Sequence, residues 1–163
     1  MFAGIDLAAT PKGTTGICFL EKGEVFSSHF ENEEIVEMVK EKNPKVIAID
    51  SPLSFYGKSL RDCDRAIGKK WKILPLTFSP MRKLAERGMR LKDRLSSYAI
   101  IEVYPHASKM SLGIETTYAQ KGYNMDFKNR HEFDAFICAL TAKNYFLGKY
   151  VTYGKEDKII VPL

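Results

Sequence analysis

Three cysteines, three histidines and a single tryptophan are all that the 163 residues hold of these types. Cys18, Cys63 and Cys138 are far apart, odd in number and form no CxxC pair. That argues against a disulfide framework and leaves reduced, structural thiols as the expectation. No apolar run approaches the roughly 20 residues that cross a bilayer. No basic n-region precedes an apolar h-region, so no signal peptide is expected and the protein is expected in the cytoplasm. Low-complexity tracts, internal repeats and a GxxxxGK phosphate loop are also missing.

What is present is ordinary for a globular protein: 45% hydrophobic and 28% charged residues, in a chain long enough to bury one real core. A single domain over residues 1–163 is expected. The charge is less ordinary. The net value is +5, but residues 58–94 hold 12 basic and 4 acidic side chains, while the rest holds 13 basic and 16 acidic. Residues 58–95 read as a basic helical insertion beside a mildly acidic body. Such a block suits a phosphate-rich partner or forms a solvated helical face.

Residues 2–9 are apolar nearly throughout and read as a strand covered on both faces, yet they carry Asp6. Residues 15–20 and 24–30 follow as strands on short connections, so the first three should run antiparallel. Residues 32–42 have helical spacing at Ile35, Val36 and Val39, acids in the first turn and a stop at Asn43-Pro44. Residues 45–50 are a second apolar strand, ended by Asp50. A helical crossover of this length commonly joins parallel strands. Residues 59–68 read as a helix with Ser59 as N-cap, and 81–95 as a basic helix weakened at Gly88. Residues 99–104 form a strand containing Glu102, and 107–112 a short helix. Residues 115–129 are polar and poorly patterned. The longest helix spans 130–147, with Phe133, Phe136, Ile137, Leu140 and Leu147 as its apolar stripe and Gly148 as its C-cap. The chain closes on a hairpin, 151–153 with 159–161.

Asp6, Asp50, Glu102 and Asp134 are thus charges placed in elements that want to be buried, which is expensive unless each meets a cation or donors. Asp134 follows His131 by three residues, one turn along the same helical face. Oxygen-rich sites with one imidazole suit Mg²⁺ or Mn²⁺. A pair of such ions about 4 Å apart activates water and stabilises the leaving oxygen of a phosphodiester. The plainer reading is a set of strand-end charges and a polar helix face.

The motifs Gly4-Ile5-Asp6, Ala48-Ile49-Asp50-Ser51-Pro52-Leu53, Arg61-Asp62-Cys63-Asp64, Glu102-Val103-Tyr104-Pro105 and His131-Glu132-Phe133-Asp134-Ala135 resemble the domain-of-unknown-function 429 family. Its members are described as predicted nucleases of the ribonuclease-H-like superfamily. The last helix is also similar to that of Holliday-junction resolvases. The resemblance spans nearly the whole chain. It implies an α/β, ribonuclease-H-like fold: a five-stranded mixed sheet of order 3-2-1-4-5 flanked by helices, with a C-terminal hairpin. Asp6 would bridge two metals, Asp134 would hold one of them, and His131 would be a ligand or proton carrier. Resolvases usually place Glu where Asp50 stands, so either Asp50 or Glu102 is the further carboxylate ligand. Resolvases work as dimers, which brings a homodimer into the expectation.

The remaining candidates concern substrate. Arg61 and Arg65, with Asp62 and Asp64, either position a phosphate or form a salt-linked helix face. Trp71 among Lys69, Lys70 and Lys72 is either a base-stacking platform or a core anchor. His106 either contacts substrate or is a plain loop histidine, and His29 is expected on the surface. The leading functional expectation is a metal-dependent phosphodiester hydrolase, a nuclease acting on DNA or RNA. The alternatives are a non-catalytic nucleic-acid-binding module on the same fold, and an actin-like nucleotide-dependent phosphotransferase, which Gly13-Thr14-Thr15-Gly16 echoes only faintly.

Overall fold

A computed structural model describes residues 1–114 and 125–163; residues 115–124 of the polar stretch lie outside the described residues. Seven strands form one sheet: β1 Phe2–Asp6, β2 Thr15–Phe19, β3 Glu24–Ser28, β4 Val46–Asp50, β5 Ala99–Val103, β6 Tyr150–Tyr153 and β7 Ile159–Pro162, in the order β3-β2-β1-β4-β5-β7-β6. The expected order 3-2-1-4-5 is its first five strands. The C-terminal hairpin does not stand apart but extends the sheet, because β7 pairs parallel with β5 through Glu102↔Ile159 and Val103↔Ile160. Among the described residues the sheet therefore has seven strands where five were expected. β1 to β3 run antiparallel, and β1, β4 and β5 run parallel.

The helices are α1 Asn32–Lys42, α2 Asp62–Ile67, α3 Ser79–Arg94, α4 Pro105–Leu112 and α5 Arg130–Phe146. Strand parity divides the core. Ile5, Ile17, Ile47 and Ile49 pack with Ile35 of α1 and Leu91 of α3. On the other face, Cys18, Ala48, Ile101 and Val103 meet α5 through residues such as Phe136, Cys138 and Ala142. Each of these fully buried aliphatic or aromatic side chains contributes about 1.5–3 kcal/mol. Burial also pushes the Cys18 thiol up to about 12, in keeping with a structural cysteine.

α5 lies directly on the strands because two glycines leave room for its backbone. A Cβ on Gly4 would stand 2.0 Å from the Ala135 carbonyl oxygen, and one on Gly16 would stand 2.0 Å from the His131 carbonyl oxygen. Gly88 plays the same part for α3, where a Cβ would meet Ser51 Oγ at 2.1 Å. That glycine weakens helix propensity locally but lets α3 close on the loop after β4. There Ser51 Oγ donates to the Leu84 carbonyl at 3.0 Å.

Candidate active site: an acidic pair under the last helix

Asp6 and Asp50 end β1 and β4 and are partners in the parallel register. In-register neighbours point to the same face, with adjacent strands about 4.8 Å apart. That face is the one α5 covers, because Gly4 and Gly16 share its parity. α5 begins beside Asp6: Asn129 caps it, its side chain accepting from Glu132 N at 3.1 Å. Glu132 accepts from Ser27 Oγ at 2.8 Å and from Lys128 N at 2.7 Å, tying the helix start to β3. His131 is thereby set over Asp6, with Nδ1 2.7 Å from Asp6 Oδ2. Its ring is 45% exposed.

Asp134 follows one turn later, 5% exposed. Its carboxylate accepts from Lys109 Nζ of α4 at 2.9 Å and from Arg130 Nε at 3.0 Å. Asp50, partly open to solvent, receives no side-chain hydrogen bond among the described residues. Burial, followed by the charges of Asp6 and Asp134, raises its carboxyl well above the usual range. Burial also raises Asp6, while the His131 hydrogen bond draws it part of the way back. The result is an oxygen-rich cluster short of positive charge at Asp50.

The structure brings together Asp6, Asp50, His131 and Asp134; Glu102 lines the same opening as Asp50 but from the other side of the sheet. Glu102 is in register with Ile49, not Asp50, so it points to the opposite face. There Leu53 N donates to it at 2.8 Å, and Arg61 donates to both its oxygens at 2.8 and 2.6 Å. Arg61 also grips Asp64, through Nε at 2.9 Å and Nη2 at 2.8 Å. Cys63, Asp64 and Glu102 have ligand atoms within 4.8 Å of one another, a closer grouping than the Asp6 cluster attains. The guanidinium already supplies the cation that their carboxylates need, and burial pushes the Cys63 thiol up, away from the thiolate a metal would require.

The proposed substrate contacts divide as well. Arg61, 4% exposed, is an interior residue whose guanidinium is engaged by Asp64 and Glu102. Arg65 is exposed and donates to the Leu60 carbonyl at 2.8 Å. Asp62 accepts from the backbone N–H groups of Lys155, Glu156 and Asp157, fastening the β6–β7 turn to α2. Trp71 is half-buried and meets Tyr153 edge-on at 5.8 Å, with Lys70 Nζ 5.7 Å from its ring. That is the contact pattern of an anchor. Lys69 and His106 are exposed, the latter 5.9 Å from the Tyr104 ring. Two site residues escaped the sequence reading, Lys109 and Arg130. The i,i+4 spacing of Arg130 and Asp134 was a usable signal; nothing local links Lys109 to Asp134.

No helix among the described residues is long and apolar enough to cross a membrane. No family model and no curated protein matches the chain. Solved structures do. RuvC of Thermus thermophilus in complex with a Holliday junction substrate matches with a TM-score of 0.51 at 13% identity, over 90% of this chain and 94% of that one. A further Thermus thermophilus RuvC structure aligns over 99% and 98% at 16% identity, with a TM-score of 0.46. The chain has the fold of the first of these, a mixed sheet flanked by helices of the ribonuclease-H-like class.

Proposed function

We propose that this protein is a divalent-metal-dependent nuclease of the kind its motif resemblance to the domain-of-unknown-function 429 family implies, hydrolysing phosphodiester bonds of DNA or RNA. One observation carries the reading: two in-register carboxylates at the ends of neighbouring parallel strands, with His131 and Asp134 lowered onto them by a helix seated on glycines. Strand-end charges without a role have no need of that convergence. The donor set fits a hard cation, since Asp6, Asp50 and Asp134 offer oxygens and Asp50 has no ion-pair partner among the described residues. Glu102, committed to Arg61, is not in the proposed ligand set, so Asp50 is the strand-4 ligand.

Mg²⁺ or Mn²⁺ held by these residues would supply an acidified water and charge neutralisation at phosphorus. The side chains around it have their own work. Asp6 fixes the His131 ring through Nδ1, and the ring is half exposed, so Nε2 is the nitrogen left to carry a proton. Lys109 and Arg130 hold Asp134 and compete with a cation for its oxygens. Were a cation to take those oxygens, both side chains would be left beside the acids to donate to phosphate. Lys72 of the basic segment faces the same opening as Asp50 and Arg130, which suits a polyanionic strand approaching from that side.

The test is incubation with single-stranded, duplex and branched DNA and RNA in Mg²⁺, Mn²⁺ or chelator, beside Asp6→Asn and Asp134→Asn. Metal-dependent cleavage lost in both folded variants is expected. Cleavage that persists in Asp6→Asn, or in chelator, refutes the mechanism. Metal-independent binding without turnover would instead favour a binding module.

A further inference from the structure

At the carboxyl ends of β4 and β5, beside the acids, lies a cavity of about 350 Å³. The crevice outside the carboxyl ends of parallel strands is where open α/β sheets take their ligands. Asp50 forms its edge toward the acidic cluster, and Lys72 and Arg130 line it as cations. The rest is largely apolar: Leu74, Leu76 and Val103 among others. Leu74 is 46% exposed and Leu76 only 1%, so the apolar wall runs from mouth to floor. The wall is pinned, because the Tyr104 hydroxyl donates to the Lys72 carbonyl at 3.0 Å.

Three features bear on the occupant. The volume is at the lower end for small-ligand sites, enough for one nucleoside and too little for a base pair. The apolar wall offers contact to a base's flat face, as in pockets that receive bases taken out of the stack. Lys72 and Arg130 line the same cavity as Asp50, and the attached phosphate would lie among them. The floor ion pairs of Arg61 with Asp64 and Glu102 are already satisfied, so the depth of the cavity makes no demand for a charged ligand.

We infer that this cavity receives a single unpaired nucleoside unit whose phosphate lies against the Asp50 rim. The site then selects single-stranded or locally unpaired nucleic acid, or a free nucleotide of the same chemistry, over intact duplex. The reaction at that phosphate rests on the nuclease reading; the binding does not.

The test uses the full chain, in Mn²⁺ and in chelator, with a single-stranded oligonucleotide carrying one 2-aminopurine, the same sequence as duplex, and AMP. The expected result is a change in 2-aminopurine emission on the single strand, with affinity at least about tenfold above the duplex. Leu74→Glu, at an exposed wall position, should weaken that binding by a similar factor with an unchanged melting temperature, while Leu74→Met retains it. Competition by AMP would identify a free nucleotide as sufficient, and its failure would assign the site to polynucleotide; both support the cavity. Equal affinity for duplex together with no effect of Leu74→Glu overturns it. Cleavage read in parallel separates the two ideas. Leu74-dependent binding with no cleavage in any metal keeps the cavity and refutes the nuclease. Duplex cleavage indifferent to Leu74→Glu does the reverse.

Discussion

Replacing Arg61 with Met should be the most damaging single change outside the α5 interface. The guanidinium makes four side-chain hydrogen bonds of 2.6–2.9 Å to Asp64 and Glu102. All three side chains are nearly sealed from water, at 2%, 3% and 8% exposed. Met fills much of the same volume but leaves two carboxylates without their cation. Breaking a buried ion pair from one side costs about 3–5 kcal/mol. In a chain of this length that lowers the melting temperature by roughly 6–20 °C, at about 2–4 °C per kcal/mol. The cost should depend on pH. Burial already raises the Glu102 carboxyl above 4.5, with the Arg61 hydrogen bonds pulling against it. Without Arg61 the folded state holds that proton more tightly still. An acid whose folded pKa is raised withholds stability as pH climbs from its unfolded value through its folded one. The deficit of Arg61→Met should therefore be small near pH 4 and full at pH 7. Adding Asp64→Asn and Glu102→Gln removes the stranded charges and should recover at least about half of it. Urea unfolding followed by circular dichroism at both pH values measures this. A deficit under about 1 kcal/mol at pH 7, or one that does not shrink at pH 4, would refute the assignment of Arg61 as the keystone of a buried charge network.

The other predictions concern the acids and the helix above them. Burial and the neighbouring Asp6 and Asp134 charges raise Asp50 in the folded state, so Asp50→Asn in chelator should match the parent near pH 4 and exceed it at pH 7. The gain is about 1.4 kcal/mol for each tenfold by which folding favours the protonated form; equal melting temperatures at pH 7 would contradict it. Gly4→Ala would drive a methyl to 2.0 Å from the Ala135 carbonyl and 2.3 Å from the Ala139 nitrogen, and should cost about 3 kcal/mol or more in urea unfolding. Asn129→Ala removes the α5 cap and should cost about 1 kcal/mol, with the His131 imidazole resonances shifting as the first turn frays; unchanged stability and resonances would rule the cap out as what holds His131.

The sequence revealed most where signals are local. α1 begins and ends as expected because Glu33 and Glu34 mark its first turn and Asn43, at φ 47°, takes the left-handed cap before Pro44. α5 was visible from its apolar periodicity, although Leu147 falls beyond its end and is exposed. Cross-strand relations were much less legible. Glu102 and Asp50 look equivalent as charges in apolar strands, but a register of Ile49↔Glu102 turns one away from the other. No local pattern records that offset. Arg61 reads as surface charge from its neighbours Asp62 and Asp64, yet its partner Glu102 lies 41 residues on. The hairpin was expected from its own residues, while its docking on β5 depends on which sheet edge is free.

The register Asp6↔Asp50 bears on how this site would tolerate evolutionary drift. The spacing of the two acids is set by main-chain pairing between β1 and β4, not by the side chains packed around them. Exchanges of one aliphatic side chain for another at Ile5, Ile47 and Ile49 should therefore cost packing energy yet leave the separation of the acids unchanged. A single-residue insertion or deletion inside either strand is another matter, since it carries one carboxylate through the sheet to the face of α1 and α3. Relatives too distant to align by side-chain identity should still be recognisable by a gap-free β1 and β4, each ending in an acid.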